Sequence, residues 1–349
     1  MPIRPQTGGF GRLTAILLAL SFIAGCTLAA QPTIELPAAA GPPPAFRPAL
    51  APPTPERTAG LAIAELAARS YGEGELRVEQ LLAVTAAFTR TLISYPSDGV
   101  TVYGFMNVPQ GAGPFPVVVV NHGYVDPAIY HTLNYTTRYA DALARAGFIA
   151  IHPNFRGYPP SQDGPNEFRT GFALDVLNLV GLVRRLGGRP GPLQQADPAA
   201  IGLWGHSMGG GVSLRSVVVD PGIKAVVLYG AMSGDEQRNH ERILFFSGGQ
   251  RGQWEEGEAP SPADLARISP INFLDRINAA VSIHHGELDD QVPLAWSVEL
   301  CALLEALHKR VECYTYPGAP HTFGGAADQL FIERTVDFLR RELATETGD

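Results

Sequence analysis

Lysine is almost missing: Lys224 and Lys309 are the only two in 349 residues, against 24 arginines. Cysteine is nearly as scarce, at three. Three cysteines cannot staple a chain of this length, which excludes a disulfide-dense scaffold. There is no basic run, and acids outnumber bases 34 to 26, for a net charge of −8. The electrostatic footprint of a nucleic-acid binder is therefore absent. No apolar run reaches the roughly 20 residues that span a bilayer. Nor is the chain disordered throughout, since 45% of it is hydrophobic, an ordinary globular share. The length admits one large domain or two medium ones.

What is abundant is glycine and proline, 38 and 30 residues. Much of that excess falls in residues 31–55, which are nearly all Pro, Ala and small side chains. Such a stretch buries no core and favours extended polyproline geometry, so it predicts a spacer. Ahead of it, residues 1–12 carry Arg4 and Arg12 and no acid, and residues 13–24 are apolar. A basic start, about a dozen apolar residues and a small-residue exit predict a secretory signal. The exit, Ile23-Ala24-Gly25-Cys26, resembles the bacterial lipobox. That resemblance implies cleavage before Cys26 and a diacylglyceryl group on its sulfur. Several acyl chains hold a protein stably on a membrane. The expected plan is a signal peptide over 1–25 and a tether over 26–55, giving an exported bacterial lipoprotein on the extracytoplasmic side.

Residues 57–69 and 76–90 place apolar side chains at helical spacing (Leu61, Ile63, Leu66; Leu81, Leu82, Val84, Phe88). They predict two short helices, a helical extension over 56–90. Asp98-Gly99 between two alternating runs then predicts a hairpin. From residue 116 the pattern changes. Val117-Val118-Val119-Val120 is a continuous β-branched run, as in a strand buried on both faces. Further strands are expected at 148–152, 200–204, 225–229, 281–284 and 311–316. Helices are expected at 130–146, 170–186, 209–219, 294–308 and 330–343. This alternation predicts an α/β fold with a mostly parallel sheet and helices on both faces. Residues 231–270 interrupt it with polar clusters and glycines, and read as an insertion, either a lid or a plain surface loop.

Gly205-His206-Ser207-Met208-Gly209 is a G-x-S-x-G pentapeptide lying directly between a predicted strand and a predicted helix. The turn is so tight that only glycine fits on either flank, and the helix start aims its N–H groups at a developing oxyanion. Ser207 is the expected nucleophile. A serine needs a base and a group to orient that base, in the chain order Ser, acid, His. His321, on the loop after the last predicted strand, is the only histidine beyond His308. Asp289 or Asp290, in the loop after strand 281–284, supplies the carboxylate. Backbone N–H groups of Met208 and Tyr124 are the candidate oxyanion donors, with His122 expected to brace the Tyr124 loop. Tyr158, Phe323 and Arg156 are candidate substrate-binding residues. The alternatives are aromatics packed over the sheet edge and an arginine that braces a neighbouring loop by an ion pair. No metal site is expected, since neighbouring strand residues such as His284 and His285 point to opposite faces. Cys301 and Cys313, on a helix and strand that run back on each other, form a disulfide or remain two buried thiols.

With these residues in view, the stretch from about 91 to 345 resembles the α/β-hydrolase fold. Within it, the chain is similar to the catalytic domain of the prolyl oligopeptidase family and to lone-domain esterases of the dienelactone-hydrolase kind. The matching segments are Pro153–Gly157, Asp197-Pro198, the pentapeptide, Ser269-Pro270, His285–Pro293 and Tyr316–His321. The resemblance implies that Asp289, the first of the paired aspartates before Val-Pro, is the triad acid. It also implies a serine hydrolase that needs no cofactor and acts on small esters or short peptides. About 35 residues separate tether from hairpin, too few for the β-propeller that peptidases of that family carry. The His-Ser-Met elbow is also common among esterases. The alternatives are a carboxylesterase without peptidase activity and a non-catalytic surface lipoprotein.

Overall fold

The computed structural model describes residues 58–250 and 260–344. The expected signal peptide, the lipidation site at Cys26 and the tether lie outside the described residues.

The expected hairpin forms between β2 (Phe88–Ser97) and β3 (Val100–Pro109). Its turn residues Asp98 and Gly99 have φ of 46° and 84°, the two positive values of a type I′ turn. The remaining strands are β4 (Phe115–Asn121), β5 (Ile149–Pro153), β6 (Ala196–His206), β7 (Ala225–Tyr229), β8 (Ala280–Gly286) and β9 (Val311–Tyr316). With β1 (Arg77–Val84) they make one nine-stranded sheet in the order β1-β2-β3-β5-β4-β6-β7-β8-β9. Strands β1 to β3 are antiparallel, and everything from β5 to β9 is parallel.

The β-branched run explains how the sheet is covered. Val117 and Val119 enter the core on one face, and Val118 and Val120 the core on the other. The first face carries α1 (Ile63–Ala67), α3 (Thr170–Leu186), α4 (Met208–Val219) and α7 (Leu294–Ala306). The second carries α2 (Thr137–Arg145) and α8 (Gly325–Glu342). The insertion contributes α5 (Glu236–Phe246) and α6 (Pro262–Ile268).

Two expectations need correction. Residues 76–90 do not form a helix: they make β1 and the start of β2. This edge strand is mostly exposed, and register breaks at Val78/Gln80 and Leu81/Ala83 erase the alternation that would have marked it. The helix expected over 130–146 begins only at Thr137. Tyr130 and Thr136 instead clasp the buried His152, at 2.8 Å to Nε2 and 2.6 Å to Nδ1.

Cys301 of α7 and Cys313 of β9 are joined as a disulfide with a Cα–Cα separation of 6.4 Å, rather than remaining two free thiols. The closed loop is short, so chain-entropy arguments give about 3 kcal/mol of stabilisation. Reduction, or a Cys301→Ser/Cys313→Ser double variant, is expected to lower the thermal midpoint by several degrees. Non-reducing peptide mapping that found both thiols free would count against the bond.

Candidate active site

Four loops leave the carboxyl ends of β4, β6, β8 and β9 on the same side of the sheet, where parallel α/β sheets place their sites. Ser207 sits at the end of β6 with φ 55° and ψ −118°, a conformation an L-residue holds only when its surroundings enforce it. A Cβ on Gly205 would meet the Gly209 carbonyl, and one on Gly209 the carbonyl of Asn121. Glycine is required at both flanks for that steric reason. The Ser207 N–H donates to the Tyr229 carbonyl at 2.9 Å, and α4 begins at the next residue.

Just beyond Tyr229, a Cβ on Gly230 would lie 3.3 Å from both Asp289 Oδ2 and His321 Nδ1. His321 and Asp289 thus meet beside the elbow, with Nδ1 2.7 Å from Oδ2. Of the two aspartates left open by the sequence, Asp289 faces the histidine, while Asp290 is exposed. The Asp289 carboxylate is held from four directions. Oδ1 accepts the backbone N–H groups of Gln291 and Val292, each at 2.8 Å. Oδ2 takes the contact from His321 and a second from His285 Nε2 at 3.1 Å. Burial alone would raise its pKa, but these donors outweigh it and hold the carboxyl well below the usual range.

A cleft of about 860 Å³ opens in front of Ser207. Tyr124, Met208, Phe172, Met232 and Trp296 lie on its wall with the serine. Helix α5 supplies Arg242, Ile243 and Phe246, so the insertion forms part of the wall. It is also fastened to the acid loop, because the Arg242 guanidinium donates to the Asp290 and Gln291 carbonyls at 2.8 and 2.7 Å. The first residue of α5, Glu236, bridges Arg169 and the buried Arg215 of α4. Residues 251–259 of the expected lid segment lie outside the described residues.

The expected substrate-binding residues divide. Tyr158 lines the cleft. Arg156 touches the same wall, but of the two readings the sequence left open its guanidinium takes the ion pair, not a free position facing substrate. Nε and Nη2 reach the Asp175 carboxylate at 3.1 and 2.8 Å, and Nη1 reaches the Pro165 carbonyl at 3.0 Å. Both partners are buried, so a free carboxylate in the cleft would have to break an existing pair. Phe323 is not a cleft residue. It packs against Tyr229, Tyr316 and Phe331 in the core of the second face, and its N–H donates to the Tyr229 hydroxyl. An aromatic two residues after a loop histidine gives no sign of which way it turns. His122 braces its loop from between two carbonyls, Gly123 O 2.7 Å from Nδ1 and Asn154 O 2.9 Å from Nε2, and as a neutral ring it donates to one of them. Three polar side chains close to the site escaped sequence reading: Tyr135, His206 and His285. The last two sit inside matched motifs, next to residues whose roles drew the attention.

Residues 192–346 match the model of the prolyl oligopeptidase family, and residues 116–252 that of the alpha/beta hydrolase fold. The chain is an α/β-hydrolase. Together with the relatives below, these matches support a serine hydrolase enzyme. A putative carboxymethylenebutenolidase of Synechocystis is 22% identical over 248 residues, 69% of this chain and 88% of that protein. Among solved structures, an acetyl xylan esterase from Paenibacillus superposes with a TM-score of 0.59 at 17% identity, over 79% of this chain and 91% of its own. A Mycobacterium tuberculosis puromycin-hydrolyzing peptidase does so with a TM-score of 0.58 at 20% identity. There the α/β-hydrolase covers 75% of itself but only 41% of the peptidase.

Proposed function

We propose that Ser207, His321 and Asp289 form a catalytic triad that hydrolyses acyl bonds in small esters or short peptides through an acyl-enzyme. The observation that carries this reading is the strained Ser207 at the mouth of the cleft, beside the 2.7 Å His321–Asp289 contact. With its Nδ1 proton directed at Asp289, His321 keeps Nε2 as a lone pair for the serine proton. It later returns that proton to the leaving group. Asp289 stays ionised and stabilises the imidazolium. The backbone N–H groups of Met208 and Tyr124 are assigned to the oxyanion, at the start of α4 and on the loop after β4.

Ester substrates are favoured over peptides. The apolar wall of Phe172, Met232 and Trp296 suits an apolar acyl or alcohol group, and the Arg156 charge is already spent on Asp175. Labelling with a fluorophosphonate probe, competed by a panel of esters and short peptides, tests the assignment. Label on Ser207, displaced by esters at lower concentration than by peptides, is the expected result. Label elsewhere, or none, would overturn it.

The same proposal includes export and attachment to the outer side of a bacterial membrane through Cys26. The basic-apolar-lipobox start supports it, and so does the Cys301–Cys313 disulfide, a bond that persists in oxidising compartments.

A further inference from the structure

His206, the residue before the nucleophile, is almost wholly buried and touches three parts of the site. Its Nε2 lies 2.9 Å from the backbone carbonyl of His321. A carbonyl only accepts, so Nε2 carries the ring proton. Its Nδ1 lies 2.6 Å from the Tyr135 hydroxyl, which must then be the donor. The Tyr135 hydroxyl in turn packs against the backbone at Gly123. A Cβ on Gly123 would overlap that hydroxyl and stand 3.1 Å from Ser207 Cβ. The His206 ring is stacked on Tyr229, with centroids 4.1 Å apart, and leans on the His321 ring at 4.6 Å.

We propose that Tyr135 and His206 are positioning residues that tie the oxyanion loop at Gly123 to the backbone of His321, holding both in register with Ser207. The inference rests on the triad reading above. The donors run in one direction, from Tyr135 O–H to His206 Nδ1 and from His206 Nε2–H to the His321 carbonyl, while the Tyr135 hydroxyl packs on Gly123. Reversing either bond would leave two donors or two acceptors face to face. The tautomer is therefore fixed. Burial, helped by the adjacent His321 ring, pushes His206 down to about 3, so it stays neutral and takes no proton itself. A neutral ring against His321 also avoids repelling the imidazolium that forms during acyl transfer. Neither side chain lines the cleft, so the effect belongs on turnover and not on substrate binding.

The test uses the full chain and p-nitrophenyl acetate, with active sites counted by fluorophosphonate titration. Tyr135→Phe and His206→Leu are each expected to lower kcat about 10–100-fold, with KM within about twofold. The double variant is expected to be no slower than the slower single, because both act through one chain of bonds. His206→Gln retains an amide N–H and a carbonyl, and is expected to recover part of the loss seen in His206→Leu. A merely structural role would lower the titratable fraction and show no such recovery. Tyr135→Phe removes one oxygen atom and keeps the ring, so it stays informative if His206→Leu fails to fold. Singles with unchanged kcat, or a double whose loss is the product of the two, would overturn the relay and leave the triad standing. Full activity in Ser207→Ala would remove the triad reading and the relay with it.

Discussion

Ser207→Ala is expected to lower kcat/KM on any accepted ester by on the order of 10⁴-fold or more. The thermal midpoint should stay within about 2 °C, because the substitution removes one oxygen and keeps the Cβ on the same backbone. The nucleophile's unusual φ of 55° is therefore as strained in the variant as in the parent. His321→Ala is expected to lose activity to a similar extent, and the double variant little more, since the two act as a unit. Asp289→Asn should cost on the order of 10³–10⁴-fold. An amide can offer an N–H where His321 Nδ1 needs an acceptor, which favours the wrong tautomer. It would also meet His285 Nε2 and the two backbone N–H groups now satisfied by Asp289. Asp289→Asn should therefore lose stability as well as rate, which Ser207→Ala does not. A Ser207→Ala protein that kept even a tenth of parental turnover would end the triad assignment.

How far this site could be read from sequence depends on the kind of signal each residue leaves. Ser207 is legible because its geometry needs glycines at fixed offsets, and a strand and helix on either side. His321 is legible by elimination, and Asp289 through the Asp-Asp-x-Val-Pro resemblance. The parallel strands, buried on both faces, announce themselves as β-branched runs. The edge strand β1 leaves no such trace. It buries little, and two register breaks shift which residues share a face, so Leu81, Leu82 and Val84 imitate a helix. Phe323 and His206 escape sequence reading, and Arg156 stays between two readings, for another reason. The direction of a side chain at the end of a strand or in a loop is set by partners distant in sequence. Those partners are Tyr229 for Phe323, Asp175 for Arg156, and Tyr135 with the His321 carbonyl for His206. No local pattern encodes them.

The second large effect expected is acid destabilisation. The protein should lose folding stability steeply as pH falls from 6.5 to 4.5. Four histidines are buried and held neutral: His122, His152, His206 and His284. Burial pushes His122 down to about 4, and His206 and His284 to about 3, and holds His152 well below its ordinary value. In the unfolded chain each titrates near 6.5. Between those values the unfolded state binds more protons than the folded one, so stability rises with pH and is lost as pH falls. Each neutral histidine contributes a slope of about 1.4 kcal/mol per pH unit below 6.5. Acting together, these slopes are large against the roughly 5–15 kcal/mol stability of a typical domain. Asp289 acts in a different window. Its carboxyl is depressed, so its contribution is present above about 4 and is lost only at lower pH. Urea midpoints measured from pH 7.5 to 4.5 should therefore fall steeply below 6.5. His284→Gln, which removes one of the four groups away from Ser207, should flatten that slope by about a quarter. A midpoint that stayed constant to pH 4.5 would mean that these imidazoles are charged or solvated in the fold. The bonding of His206 between Tyr135 and the His321 carbonyl would then have to be redrawn.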